Sequence, residues 1–82
     1  MDLQKAEIAY SFFHQKLRVY EHSSLSWQRD DIEVAISDYV GMMDKALYRT
    51  IAGTTPDYLL NHTRFEADLR SAVAQLERFI FR

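Results

Sequence analysis

The side chains that could do chemistry in this 82-residue chain are three histidines and scattered carboxylates and serines. Glu7, His14 and Glu21 lie seven residues apart, on one side of a predicted helix. Ser11 and Arg18 share that side, which indicates a solvated face. The chain lacks the Glu-x-x-His pairs of a carboxylate-bridged metal site and the His-Glu-x-x-His zinc motif. We therefore predict no metal site and no cofactor.

Nucleophilic and acid–base catalysis find equally little support in the residue pattern. Ser23 and Ser24 follow His22, but adjacency in sequence does not make a catalytic triad, and no Gly-x-Ser-x-Gly turn is present. The Asp30–Asp31 pair fits a helix N-terminus better than two catalytic carboxylates, which need contrasting environments to separate their pKa values. We therefore expect a protein that is not an enzyme.

The charge balance argues against a nucleic-acid-binding surface. Ten Lys and Arg residues stand against 12 Asp and Glu residues, for a net charge of −2, whereas nucleic-acid-binding domains gather an excess of basic residues on one face. No apolar run reaches the roughly 18 residues that a membrane span needs. The chain has no cysteine, and its first residues do not resemble a targeting segment, so we expect a cytoplasmic protein without membrane contact.

Hydrophobic periodicity predicts three helices, over residues 3–22, 27–52 and 56–81. Asp2 is the expected N-cap of the first helix. Gly53 can adopt positive φ after the second helix, and Pro56 cannot continue it. Thr63 and Glu66 match a capping box, which favours a short helix and a break near residues 61–63. The residues from position 58 to 79 that recur at steps of three and four favour instead one unbroken helix, with His62 on its apolar face. Both alternatives stay open.

Short connections make neighbouring helices antiparallel, so the predicted fold is all-α, a single domain over residues 1–82 built as an up-down-up antiparallel three-helix bundle. Each predicted helix has one apolar stripe, and the residues of these stripes form the predicted core. They are Leu3, Ala6, Tyr10, Phe13, Leu17, Ile32, Ile36, Tyr39, Met43, Leu47, Phe65, Leu69, Ala72, Leu76 and Phe79.

Two helices carry a second apolar face outside this core. On the first helix, Ile8, Phe12 and Val19 lie about a third of a turn around the helix from the core stripe. One interpretation is that this helix packs between the other two, and the other is that the second face meets another chain. Such apolar patches mark contacts between proteins when they are exposed.

The second face of the second helix contains a glycine. Val34, Gly41 and Tyr48 are seven residues apart, and Ser37 lies one turn before the glycine. A glycine inside a helix costs about 1 kcal/mol relative to alanine. Close approach of another helix would offset that cost, whereas a solvent-facing glycine would simply be tolerated.

The function predicted from these features is protein–protein interaction by a small non-enzymatic regulatory or adaptor protein, of the inhibitor, chaperone, immunity or assembly type. We expect it to form a homodimer or to bind a protein partner. The alternative is a small nucleic-acid-associated transcriptional regulator that acts as an oligomer. The expected interface residues are Ile8, Phe12, Val19, Val34, Ser37, Gly41 and Tyr48.

Overall fold

The computed structural model describes residues 2–81, and all regular secondary structure in this range is helical. The predicted all-α class is therefore confirmed. The predicted number of three helices is wrong, because the described residues contain four α-helices and one 3₁₀ turn. The elements are α1 (Leu3–His22), α2 (Ser26–Met42), α3 (Lys45–Ala52), the 3₁₀ turn (His62–Arg64) and α4 (Phe65–Ile80).

The first helix has the bounds that its periodicity predicts. The Asp2 side chain accepts a hydrogen bond from the backbone N–H of Gln4 and satisfies one of the free N–H groups at the helix start. Ala6, Phe13 and Leu17 are buried, as the spacing predicts. Leu3 is 53% exposed, so its assignment to the core is wrong.

The second predicted helix is broken at Met43 and Asp44, whose backbone angles are not helical. Asp44 starts α3, because its side chain accepts a 2.9 Å hydrogen bond from the backbone N–H of Leu47. A continuous helix over residues 27–52 would be about 39 Å long. The described molecule is 36 Å along its longest axis, so the bend is what lets α3 fold back onto the core.

The third predicted helix is not continuous either. Residues 56–60 form turns. Within them Asp57 and Leu59 have positive φ angles of 53° and 67°, and positive φ ends any right-handed helix. The alternative prediction, a short helix followed by a break near residues 61–63, gives the position of the break correctly. No short helix precedes the break, however. Asn61 begins the 3₁₀ turn by accepting from the backbone N–H of Thr63 at 3.0 Å. The predicted capping box is absent, since Arg64 occupies the N-cap position of α4 without a side-chain cap.

α1 and α2 run antiparallel, as expected for helices joined by a short connection. Lys5, near the start of α1, forms an ion pair with Asp44, just after α2 ends. Further along, the ring of Phe12 stacks on that of Tyr39.

α4 is also antiparallel to α1, so the predicted up-down-up order is wrong. Tyr20 near the end of α1 contacts Phe65 at the start of α4, and Tyr10 contacts Phe81 just after α4. α3 and the connection that follows it carry the chain back to the end of the molecule where α2 begins. This return path exists because the second helix breaks.

The core is one cluster of buried residues centred where α1 packs on α4, with contributions from the other elements. Most of the predicted core is buried, while Tyr10, Tyr39, Met43 and Phe79 are half-buried. The buried apolar residues that the predicted core lacked are Ala9, Tyr20, Ile51, Ala52, Tyr58, Leu59 and Val73. None of the helices in the described range is long and apolar enough to cross a bilayer.

Candidate protein-interaction surfaces

The first candidate surface, which we call the α1–α2 seam, is formed by Ile8 and Phe12 of α1 with Tyr39 and Met42 of α2. At its centre the Phe12 and Tyr39 rings stack with centroids 4.4 Å apart and planes 14° from parallel. Ile8 and Met42 line one groove beside this stack. Ile8 and Met42 are 56% and 79% exposed, so the seam carries apolar area that the core leaves uncovered.

Two of the three residues predicted for the second face of α1, Ile8 and Phe12, lie on this seam. Phe12 packs against the core as well as on Tyr39, which agrees with the interpretation that α1 lies between two helices. That arrangement does not cover Ile8. Val19 is 48% exposed and lines the groove along the outer side of α1. Helical spacing alone could identify Ile8 and Phe12, but Met42 was missed because it lies beside the inner apolar stripe of the predicted longer helix.

The seam carries charged groups of both signs. The ammonium group of Lys16 lies over the Phe12 ring, 5.4 Å from its centroid. On α2, Asp31 and Asp38 lie within about 40° of Met42 on the helical wheel. Within the described part of the chain, Lys16, Asp31 and Asp38 form no ion pair. The seam therefore has a cation on α1 and two carboxylates on α2.

The second candidate surface, which we call the α2–α3 groove, has a volume of about 340 Å³. The bend between α2 and α3 and the following turn shape this groove. Its lining residues come from these three elements and are Val40, Gly41, Lys45, Tyr48, Arg49 and Leu60.

Two of the four residues predicted for the second face of α2 meet in this groove. Gly41 and Tyr48 come together across the bend, and a Cβ atom added at Gly41 would have no neighbour within 4 Å. Val34 and Ser37 are exposed on α2 and do not line the groove. Leu60 was missed, because the predicted continuous helix placed it among helical residues and not at the end of a turn.

Hydrogen bonds hold the tyrosine and the turn that form the walls of the groove. The Tyr48 hydroxyl donates to the backbone oxygen of Tyr58 at 2.7 Å, and burial raises the pKa of Tyr48. The backbone N–H of Leu60 donates to the oxygen of Asp57 at 2.9 Å. Leu60 nevertheless keeps 49% of its surface exposed, so it offers an apolar wall on a fixed backbone.

A third region is polar and links the 3₁₀ turn to α2. The Nδ1 atom of His62 lies 2.8 Å from Oε1 of Glu33, and this hydrogen bond raises the pKa of His62. His62 is exposed, so its predicted place on an apolar helix face is wrong. Beside this pair, Arg70 forms ion pairs with Glu21 of α1 and Glu66 of α4. Charged groups therefore connect the 3₁₀ turn to α2 and α4 to α1 at this end of the molecule.

A groove with a volume of about 800 Å³ lies along the outer side of α1. Ser11, His14 and His22 line it, but no hydrogen bond joins a serine to a histidine there. The described residues also contain no group of three His, Cys, Asp or Glu side chains placed to hold a metal ion.

Comparison with known proteins finds no matching family model, no similar curated protein and no similar solved structure.

Proposed function

We propose that this chain is a non-enzymatic protein-interaction module that associates with a second copy of itself through the α1–α2 seam. The observation that supports this most directly is the exposure of Ile8 and Met42 beside the Phe12–Tyr39 stack. Contiguous exposed apolar residues of this kind are a feature of surfaces that bind other proteins.

The charges beside the seam support a second copy as the partner. An axis of two-fold symmetry parallel to the seam would place α1 of each copy opposite α2 of the other. Lys16 of each copy would then face Asp31 and Asp38 of the other copy. The seam would therefore form this charge contact twice in each dimer, with the exposed apolar residues meeting between the two contacts.

Sedimentation equilibrium over a range of protein concentrations tests the proposal. We expect the wild-type chain to form dimers in the micromolar range. Ile8→Asp and Met42→Asp should remain monomeric, because each places a charge in the apolar centre of the interface. Leu60→Asp is the matched control, since Leu60 is 49% exposed on the turn after α3 and does not line the seam.

Charge-reversal variants test whether the charges beside the seam contribute to dimerisation or whether a substitution only lowers solubility. Lys16→Asp alone and Asp31→Lys alone should each weaken the dimer, because like charges would meet across the axis. Combining both changes in one chain should restore dimerisation, since the two charges exchange places in the symmetric pair. Circular dichroism spectra should confirm that each variant keeps its helices.

A wild-type chain that stays monomeric at high micromolar concentration would disprove self-association. Equal disruption by Leu60→Asp and Ile8→Asp would place the interface elsewhere. A monomer that binds duplex DNA, with an affinity that falls steeply as salt rises, would support the nucleic-acid-associated regulator instead.

A further inference from the structure

We infer that the α2–α3 groove binds an acidic segment of a partner protein, with one bulky apolar side chain of that segment inserted against Gly41. This surface lies apart from the α1–α2 seam and shares no residue with it. The inference therefore does not depend on self-association.

The groove has an apolar floor and apolar walls. Val40 and Gly41 form one side, Tyr48 packs against the core beneath, and Leu60 closes the other side. Its volume of about 340 Å³ suits one inserted side chain, because it is at the low end of the range for ligand sites. Since the space above the Gly41 Cα atom is open, the backbone of a bound segment can come close to α2.

The mouth of the groove is basic. Lys45 and Arg49 are both exposed, lie four residues apart on α3 and form no ion pair within the part of the chain that the structure describes. Two like charges at this spacing destabilise a helix. Lys45 is also the first residue of α3, where the positive end of the helix dipole disfavours a cation.

No nearby acidic group neutralises the positive charges of Lys45 and Arg49 within the part of the chain that the structure describes. Asp44 is occupied, because it caps α3 and pairs with Lys5 on the side away from the groove. Asp57 acts on Tyr48 electrostatically but makes no ion pair with either cation. A carboxylate-rich segment would supply the missing negative charge while its apolar residue fills the groove, and this combination determines the chemistry of the partner.

The test uses a synthetic peptide of about twelve residues in which leucines at helical spacing alternate with glutamates. It is added to ¹⁵N-labelled full-length protein, and amide chemical shifts are followed to about 2 mM peptide. We expect saturable shifts centred on Gly41, Tyr48 and Leu60. The same peptide with lysine in place of every glutamate, and a version with serine in place of every leucine, should produce none.

Variants of the groove and of the seam give the matched comparison. Gly41→Leu should abolish the shifts, because its side chain would occupy the groove, and the fold has room for it since a Cβ atom there meets nothing within 4 Å. Lys45→Glu with Arg49→Glu should weaken binding at least about tenfold. Lys16→Glu on the seam, combined with Arg18→Glu on the outer side of α1, makes the same change in charge and should leave the affinity unchanged.

The inference would be overturned if the acidic peptide shifted none of the groove amides, or if the lysine peptide bound equally well. It would also fail if Lys45→Glu with Arg49→Glu and the seam variant lost affinity equally, because net charge alone would then explain binding. Equal shifts of the same amides by a thymidine oligonucleotide would assign the two cations to nucleic acid and contradict a protein partner.

Discussion

The buried carboxylate of Asp68 accepts a 3.0 Å hydrogen bond from the backbone N–H of Leu59, a residue with a positive φ of 67°. Leucine rarely adopts this conformation, because its Cβ atom crowds the backbone. The hydroxyl of Tyr58 donates to the backbone oxygen of Asp68 at 3.0 Å and adds a second connection between the turn and α4. Together these bonds offset the strain and hold the turn that forms one wall of the α2–α3 groove.

Removing the Asp68 carboxylate should destabilise the fold. Asp68→Ala leaves the buried N–H of Leu59 without an acceptor, which costs about 1–3 kcal/mol in the free energy of unfolding. Asp68→Asn keeps an acceptor oxygen and should cost less. Urea denaturation measures both, with Glu77→Ala on the same helix as the exposed, unpaired control. A loss for Asp68→Ala no larger than that for the control would show that the turn does not depend on this bond.

The stability of the protein should fall as pH rises through the pKa of His62 in the folded state. Glu33 raises this pKa above the ordinary histidine value of about 6.5, first through its hydrogen bond and then through its charge, and Asp30 adds to the effect. The folded state therefore binds the proton more tightly than the unfolded state. The stabilisation is complete below about pH 6.5 and is lost as the pH passes the raised value.

Urea midpoints measured from about pH 5.5 to about pH 8.5 test this dependence. Glu33→Gln removes the carboxylate and should flatten the slope in that range, while His22→Gln should leave it unchanged. An NMR titration of the His62 ring protons reports the same group directly. An unaltered slope in Glu33→Gln would mean that another group causes the pH dependence.

The Phe12–Tyr39 stack should contribute a measurable coupling energy. Aromatic pairs with this geometry contribute about 0.5–1.5 kcal/mol beyond the area they bury. We expect a double-mutant cycle of Phe12→Leu and Tyr39→Leu to give a coupling in this range, measured by urea denaturation of the monomeric Ile8→Asp background. A coupling near zero would show that the two rings contribute only through their separate contacts with the core.

Replacing each of the two glycines by alanine should change the free energy of unfolding in opposite directions. Gly41 is helical and an added methyl group meets no atom within 4 Å, so Gly41→Ala should raise the free energy of unfolding by up to about 1 kcal/mol. Gly53 has a φ of 59°. Alanine adopts that angle only with strain, so Gly53→Ala should lower the free energy of unfolding. Thermal unfolding of both variants is the measurement, and a stabilising Gly53→Ala would contradict the positive φ.

Local sequence signals predicted α1 and the apolar faces most accurately. Asp2 caps α1 as expected, and Gly53 ends a helix with positive φ as expected. Glu66 and Arg70 likewise form an ion pair at the four-residue spacing that brings side chains together on a helix. These features depend on residues within one or two helical turns, so the order of the chain is enough to predict them.

Long-range contacts determined the breaks and the direction of α4. Asp44 looked like an interior residue of a continuous helix, but it caps α3 and pairs with Lys5 across 39 positions. The turn before α4 likewise depends on Asp68, which lies nine residues beyond Leu59. Helical periodicity continues through both places in the sequence, and only packing within a 36 Å molecule makes the breaks favourable.

The sequence by itself therefore determined that this protein is helical, which stripes are apolar and which apolar residues exceed one core. The tertiary structure decided how that excess is arranged. It brought Ile8 and Phe12 together with Met42 on one seam, and it brought Gly41 and Tyr48 together with Leu60 around a bend. The physical reason is that helical spacing is a local property, whereas a groove exists only where separate segments of backbone meet.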